Sequence, residues 1–412
     1  MNGERRRWFP ASAGADSRLL LSTRALRGFA DGAVSVLLPS YLTAIGFSST
    51  QIGAIVFATL FGSAALTLCV GLVTHRLGRR RVLLAASALM FLTGLGFAGI
   101  GRFWPLFVVA VVGTLNPSAG DVSLFLPIEQ SAVAETVAAR DLTAMFAAYN
   151  VAGAGAGALG ALMSGMPVML ASHHGWSAAG AQRWGFLAYS AIALIAAILY
   201  ARLSSAVEAE EQAADGKPLA RSRAVVLRLA AVFSLDSFGG GFVVQSLLAL
   251  WLFRRFNLSV QAAGSFFFAA GLLQAGSQFV SSSLAARFGR INTMVFTHLP
   301  SNAFLILAAM MPNAKLALAC LLLRYSMSQM DVPARQSYVM AMVAPEERAA
   351  AASVTNVPRS LASAFAPLPA GLMLDYSSFG WPLVSAGGLK IIYDVLLLLQ
   401  FRSLRPADEQ FE

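Results

Sequence analysis

Long apolar blocks constrain this chain more than any other feature. Ile52–Val73 and Val82–Ile100 are two of the clearest. Each has about the 20 apolar residues that a helix needs to cross a bilayer. Inside hydrocarbon the backbone must satisfy its own hydrogen bonds, so such blocks are expected to be helices. A membrane barrel would show alternating strands of about ten residues, and none are visible. The rest of the chain agrees. Of 412 residues, 57% are hydrophobic and only 12% charged, against about 25% charged in a soluble domain. Mean hydropathy is +0.66.

Spans are read at residues 20–46, 51–74, 81–101, 104–128, 141–170 and 182–202, then at 225–253, 261–285, 291–311, 315–342, 349–374 and 381–401. Between the sixth and seventh lies the one long hydrophilic stretch, with Glu208, Glu210, Glu211, Asp215, Lys217 and Pro218. This divides the chain into an N-terminal six-helix bundle (1–203), a linker (204–223) and a C-terminal six-helix bundle (224–412). The fold class expected is all-α, with about twelve membrane helices in two pseudo-symmetric halves. Lys and Arg set the orientation, because they accumulate in cytoplasmic loops. With the N-terminus inside, 19 of them fall on the cytoplasmic side and five on the other. Both termini are therefore expected inside, in a bacterial cytoplasmic (inner) membrane. The same bias accounts for the net charge of +10 without a nucleic-acid partner.

The halves repeat one another. Phe47-Ser48-Ser49-Thr50-Gln51-Ile52-Gly53 matches Leu258-Ser259-Val260-Gln261-Ala262-Ala263-Gly264 at an offset of 211. Arg76-Leu77-Gly78-Arg79 matches Arg287-Phe288-Gly289-Arg290 at the same offset. Pro127-Ile128-Glu129-Gln130-Ser131 matches Pro333-Ala334-Arg335-Gln336-Ser337 at 206. The shared order points to a parallel repeat, and repeats of this kind place a substrate site near the bilayer midplane between the halves.

The loop after the second span reads Gly71-Leu72-Val73-Thr74-His75-Arg76-Leu77-Gly78-Arg79-Arg80-Arg81. It resembles the pattern G-x-x-x-D-R-x-G-R-[RK] of the major facilitator superfamily, with a degenerate copy after the eighth span. The likeness covers nearly the whole chain. It implies the twelve-helix transporter fold, with spans 1, 4, 7 and 10 lining a cavity. The loop residues carried over are Gly71, His75, Arg76, Gly78, Arg79 and Arg80. His75 stands where the family has an Asp that helps latch the cytoplasmic side, so the latch here must differ or respond to pH. Gly153, Gly155, Gly157 and Gly160 resemble the glycine-rich fifth helix of the drug:proton antiporter branch, though its Gly-Pro step is absent.

A charge at the bilayer centre costs about 2.5–3.5 kcal/mol on insertion scales, so buried ionisable residues are functional candidates. Spans 1, 4, 7 and 10 each hold one Asp: Asp31, Asp121, Asp236 and Asp331. At about 1.5 Å per residue, Asp31, Asp236 and Arg324 fall near the middle of the membrane. They are assigned to a substrate and proton-coupling layer. Asp121 and Asp331 fall near the cytoplasmic end and, with Arg24, Arg27, Glu129 and Arg335, are assigned to a cytoplasmic gate. Lys390 and Asp394, four apart on one helix face, are assigned to a structural ion pair. For the coupling layer the competing role is a fixed Asp–Arg bridge that only orders the bundle, and for the gate layer it is snorkelling of the charged ends to interfacial water.

No metal site, cofactor site, P-loop or hydrolase triad is visible, so the chain is not read as an enzyme or an ATP-driven pump. The function expected is a secondary active transporter working by alternating access as a monomer in the lipid bilayer. Its partners would be a small-molecule substrate and protons, with efflux by proton antiport as the direction. The alternatives are a facilitator or importer of a small organic anion organised around Arg324, and a non-transporting membrane sensor with the same fold.

Overall fold

The computed structural model describes residues 12–118, 123–138, 141–175, 177–208, 222–343 and 347–401, with the side chains of 71–76, 143, 172–174, 278–279, 282–283, 286 and 348–350 outside the description. Every regular element among them is a helix. The first half holds α1 (Ala15–Ala44), α2 (Ser49–Leu77), α3 (Arg79–Gly99), α4 (Phe103–Val112), α5 (Phe125–Glu135), α6 (Leu142–Met163), α7 (Met166–His174) and α8 (Ala178–Ala201). The second holds α9 (Arg223–Gly241), α10 (Gln245–Phe256), α11 (Val260–Phe288), α12 (Arg290–Met310), α13 (Ala314–Tyr325), α14 (Asp331–Ala341), α15 (Arg348–Phe365), α16 (Pro367–Tyr376) and α17 (Trp381–Phe401).

Among the described residues, seven stretches qualify as spans by length and apolarity alone, two of them, Ala144–Ala171 and Arg223–Phe256, made of two helices end to end. The other five are α1, α4–α5, α11, α13–α14 and α15–α16. Several of these five hold buried charges, α11 is rich in Ser and Gln, and α4 is apolar but only 10 residues long.

Helices break where the chain cannot continue one. Span 4 is interrupted between Val112 and Phe125. There Asn116 precedes Pro117, and its Oδ1 accepts from the Ser118 amide at 3.1 Å. Proline lacks the N–H and disfavours helix in the residue before it. Spans 5 and 11 break just before Pro167 and Pro367, which open α7 and α16, where a missing N–H costs nothing.

The two halves pack in the same pattern. In the first, α1 packs on α6 and α8, α3 on α8, and α2 on α4. In the second, α9 packs on α15 and α17, α12 on α17, and α11 on α13. Counted by span, the second set is the first shifted by six. Across the halves, α2 meets α15 and α16, α6 meets α11, and α1 meets α10. The first two of these contacts exchange under the same shift. The fold is therefore the all-α, twelve-span arrangement of two pseudo-symmetric bundles that the repeats predict.

Glycine sets how closely the bundle closes. A Cβ on Gly32 would overlap the Gly157 carbonyl, and one on Gly160 the Phe29 carbonyl. The glycines of α6 thus let α1 approach backbone to backbone, as small residues do in membrane bundles. Apolar side chains such as Leu92, Leu194, Phe296 and Leu399 are exposed on the outer surface, where lipid would cover them.

The start of α1 and the end of α17 lie on one face, here the termini face. The opposite face is tied shut between the halves. Asp375, at the end of α16 and just beyond the span read as 349–374, accepts from the Ser49 and Thr50 amides at 2.8 Å each. It also accepts from the Thr50 hydroxyl at 2.5 Å. These donors are the free N–H groups at the start of α2. Arg254 donates to Asp375 at 3.2 Å and also to Ser49 Oγ. Below this tie, Phe57 packs on Phe365 across the halves at 5.3 Å.

Candidate functional site

Two buried polar clusters occupy the bundle, one in each half. In the first, Glu129 of α5 is wholly buried. It pairs with Arg27 of α1 and accepts from the hydroxyls of Tyr149, Tyr200 and Thr23, the last at 2.9 Å. Arg27 also donates to Tyr200 at 3.2 Å and Ser123 at 3.3 Å, with its guanidinium 4.2 Å from the Phe125 ring centroid. Both charges are thereby hydrogen-bonded on all sides, the condition under which a buried ion pair is tolerated. Arg24 lies over the Tyr149 ring at 5.2 Å, on the α6 face that Gly153 leaves open.

Asp31 lies one turn further along α1. Arg27 and Arg24 are the cations beside it, and Asn116 is its polar neighbour. Asn116 leads to the opposite half, because the carbonyl of the next residue, Pro117, accepts from the Ser246 amide of α10 at 3.2 Å. The break in span 4 therefore meets the break in span 7. Each supplies what the other lacks, a free carbonyl against a free helix-start N–H.

In the second half, Asp236 of α9 is the centre. Lys390 of α17 donates to Asp236 Oδ1 at 2.6 Å, and Arg335 of α14 lies 3.5 Å from Oδ2. Arg335 also donates to Asp331 at 3.2 Å. His298 of α12 lies with Nδ1 2.9 Å from Asp394 and Nε2 3.8 Å from Asp236. Asn302 donates to Asp394 at 3.0 Å. Arg359 of α15 donates to Ser237 at 3.1 Å and Asn356 at 3.3 Å at the edge of the cluster.

This geometry revises parts of the sequence reading. The pair expected between Lys390 and Asp394 is replaced: Lys390 turns to Asp236, and Asp394 to His298 and Asn302. Four-residue spacing permits a pair on an isolated helix, but here each side chain has a better partner on a neighbouring helix. Asp236 does not form a layer with Asp31 and Arg324. It joins Arg335 and Asp331, which depth alone had separated from it. Among the described residues Arg324 pairs with no carboxylate; it lies over the Tyr325 ring at 5.1 Å, with Nε buried and unbonded. The ion pairs assigned to a gate, Arg27–Glu129 and Arg335–Asp331, each lie inside one half. Asp121 lies outside the described residues, as do the side chains of His75 and Arg76.

The loop motif holds the first half together. Gly78 turns at a φ of 81°, a conformation that favours glycine. Glu208 then caps α3, accepting from the Arg79 amide at 2.6 Å and the Arg80 amide at 2.9 Å. The Arg79 side chain donates to the Val207 carbonyl at 2.9 Å, and that of Arg80 to the Ala201 carbonyl. The arginines thus clamp the end of α8 as well as fixing the loop.

Sequence reasoning missed His298, Asn302, Tyr200 and Thr23. His298 gave a signal, an ionisable residue inside the apolar span 291–311. The others are ordinary in a membrane helix, and only the fold brings them to a charge. Among the described residues no group of three or more His, Cys, Asp or Glu is placed to hold a metal ion.

A helical membrane protein of two matched six-span bundles, with buried charges beside the seam, is a transporter by class. Residues 20–330 and 237–412 match the family model of the Major Facilitator Superfamily, and the chain belongs to that family. It is 27% identical to an uncharacterized membrane protein of Saccharomyces cerevisiae over 423 residues, covering 94% of each chain. Among solved structures it resembles a bacterial homologue of the human lysosomal transporter Spinster, in an inward-facing and occupied conformation. The TM-score is 0.73 at 15% identity, with 94% of this chain and 96% of that one covered. It also resembles a D-xylose–proton symporter, with a TM-score of 0.73 at 15% identity and coverage of 92% and 96%. Transport across a membrane, rather than enzymatic turnover, is the general function.

Proposed function

We propose that this chain moves a small organic solute by proton-coupled alternating access, with export as its direction and both termini in the cytoplasm. The halves that rock are 1–203 and 224–412, joined by 204–223. One observation carries the reading. Asp31 neighbours Asn116, and the next residue, Pro117, accepts from Ser246 where two broken spans from opposite halves meet. Broken helices at a midplane seam expose backbone groups and allow bending, as transporter sites require. A carboxylate beside that junction can couple its protonation to the movement of the halves. The far-face tie at Asp375 supports a state closed there, and Gln336, Ser337 and Asn356 are exposed polar residues that could line a passage open to the termini face. Export rests on the likeness of the glycine-rich α6 to the drug:proton antiporter branch.

The test uses purified protein in pyranine-loaded vesicles with an imposed pH gradient, challenged with a panel of organic cations, anions and neutral solutes. A solute that moves protons, with the movement lost in Asp31→Asn, is the expected result. Solute flux with no proton movement would leave a facilitator.

A second reading, transport of a small organic anion, has Arg324 behind it, since a buried, unbonded guanidinium nitrogen is a donor without an acceptor. Loss of anion flux alone in Arg324→Ala would favour it.

A further inference from the structure

We propose that His298 and Asp394, paired between α12 and α17, form a proton-binding site that exchanges its proton with Asp236. Its role in coupling rests on the proton-coupled reading above.

The ring of His298 lies between two carboxylates. Nδ1 is 2.9 Å from Asp394 Oδ1, and Nε2 is 3.8 Å from Asp236 Oδ1. A neutral imidazole has one N–H and one lone pair, so it can donate to only one of them, whereas the imidazolium donates toward both. The charges that surround it come from every element of the cluster. Asp236 lies on α9, Asp331 and Arg335 on α14, Lys390 and Asp394 on α17, and Arg359 at the half-exposed edge on α15. Arg324, on the neighbouring α13, turns its side chain to Tyr325. Within ion-pair reach, three carboxylates face two permanent cations. Arg359 at the edge brings the cations to three, so the ring can hold or release its proton without leaving the carboxylates unopposed.

The fold does not need this cluster, as the other half demonstrates. Phe186-Leu187-Ala188-Tyr189-Ser190 aligns with Lys390-Ile391-Ile392-Tyr393-Asp394 at an offset of 204. At the offset of 211 that aligns the loop motifs, His298 falls on Ser87 and Asn302 on Phe91. There the same helix pair closes with no charge. Ser190 donates to the Phe91 carbonyl at 2.9 Å, and Phe186 stacks on Phe97 at 5.4 Å. The C-terminal half therefore carries four polar or ionisable side chains where packing alone suffices, and buried charge in a membrane is costly to keep.

The surroundings let the proton move. Asp236 lies five residues before the end of α9, next to the break at 242–244. Gly240 faces Lys390 Nζ, and a Cβ there would lie 3.7 Å from it. Bending at the break would draw Asp236 away from Lys390 and Arg335. The proton on His298 Nε2 then passes to Asp236 Oδ1. This forms a carboxyl O–H and leaves a neutral ring whose Nδ1–H stays on Asp394.

The probe is the proton, read by NMR on full-length protein in nanodiscs labelled with carbon-13 at histidine. The chain has four His, and the His298 signal is the one missing from His298→Gln. That signal is expected to change between about pH 5 and about pH 8 as the ring gains and loses its proton. In Asp394→Asn its midpoint should fall by about one unit, a tenfold loss of proton affinity. A His298 signal constant over that range overturns the proposal, as does a midpoint unmoved by Asp394→Asn. If His298→Gln fails to fold, the signal is assigned from Asn302→Ala, which perturbs its neighbour. The vesicle assay separates the two readings. Titration at His298 with no proton movement in any vesicle sinks the coupled transport reading and leaves the site.

Discussion

Glu129 and Arg335 occupy equivalent positions in the two halves and carry opposite charge. Their partners are inverted as well. At an offset of 209, Arg27-Gly28-Phe29-Ala30-Asp31-Gly32-Ala33-Val34 aligns with Asp236-Ser237-Phe238-Gly239-Gly240-Gly241-Phe242-Val243. Arg27 on Glu129 and Asp236 near Arg335 are thus one ion pair written twice with its signs exchanged. The two extra residues of the second half, which take the offset from 209 to 211, fall between Val243 and Leu258. An inverted pair keeps the geometry of the repeat while giving each half a different field toward the passage.

The first pair is fully bonded and so should be structural. Glu129→Gln leaves Arg27 buried without its counter-charge, a change that typically costs about 3–5 kcal/mol. Unfolding of the purified variant, followed by tryptophan fluorescence in detergent, should move to markedly lower denaturant. Thr23→Val removes only one neutral donor to Glu129, a loss of about 1 kcal/mol. Equal effects from the two variants would mean that the Arg27 contact is not what Glu129 supplies.

Close approach of α1 and α6 gives a sharper contrast between neighbours. Gly32→Val places side-chain atoms where the Gly157 carbonyl already is, so folded yield should collapse. Gly155→Ala should be tolerated, because nothing lies within 4 Å of a Cβ there. It should even stabilise slightly, since alanine is favoured over glycine in a helix by about 1 kcal/mol. Size-exclusion profiles of the two variants decide the matter.

The fold was legible because its signals are long-range averages. Apolar blocks fix the spans, the hydrophilic stretch separates the halves, and the repeats at 211 and 206 predict the pseudo-symmetry. The charged residues were also visible, since each stands out in an apolar helix. Their partners were not. Depth along a helix says nothing about rotation around it, so Asp236 was grouped with Arg324 when it faces Lys390. Spacing on one helix suggested Lys390 with Asp394, but neighbouring helices offered Asp236 and His298. Neutral partners such as Tyr200 and Asn302 leave no trace in a sequence, because a hydroxyl or amide in a membrane helix is unremarkable until a charge is folded against it.

A double-mutant cycle can separate the two pairings of Lys390. Lys390→Met with Asp236→Asn should show a coupling energy of roughly 1–3 kcal/mol, in the range of groups in direct contact. The cycle of Lys390→Met with Asp394→Asn should give a clearly smaller value. Detergent unfolding of the wild type, the three single variants and the two double variants supplies both numbers. The reverse order would restore the same-helix pair and remove Lys390 from the Asp236 cluster.

The tie between Asp375 and the start of α2 should hold the far face closed. Partial burial pulls the Asp375 carboxyl up, but hydrogen bonds from Thr50 and Ser49 outweigh this and hold it at about 2. A carboxylate lowered in the folded state contributes its stabilisation above the ordinary value of about 4, and loses it as pH falls toward the lowered one. Closure should therefore be flat from about pH 8 to about pH 5. Asp375→Asn removes the charge at every pH and weakens the cap, including its attraction to the helix start. The reporter is Phe57→Cys, just below the tie, in a background without Cys69 and Cys320. Maleimide should label it several-fold faster in Asp375→Asn than with Asp375 intact. A labelling rate that climbs between pH 7 and pH 5 with Asp375 present would mean that another group, titrating in that range, closes the face.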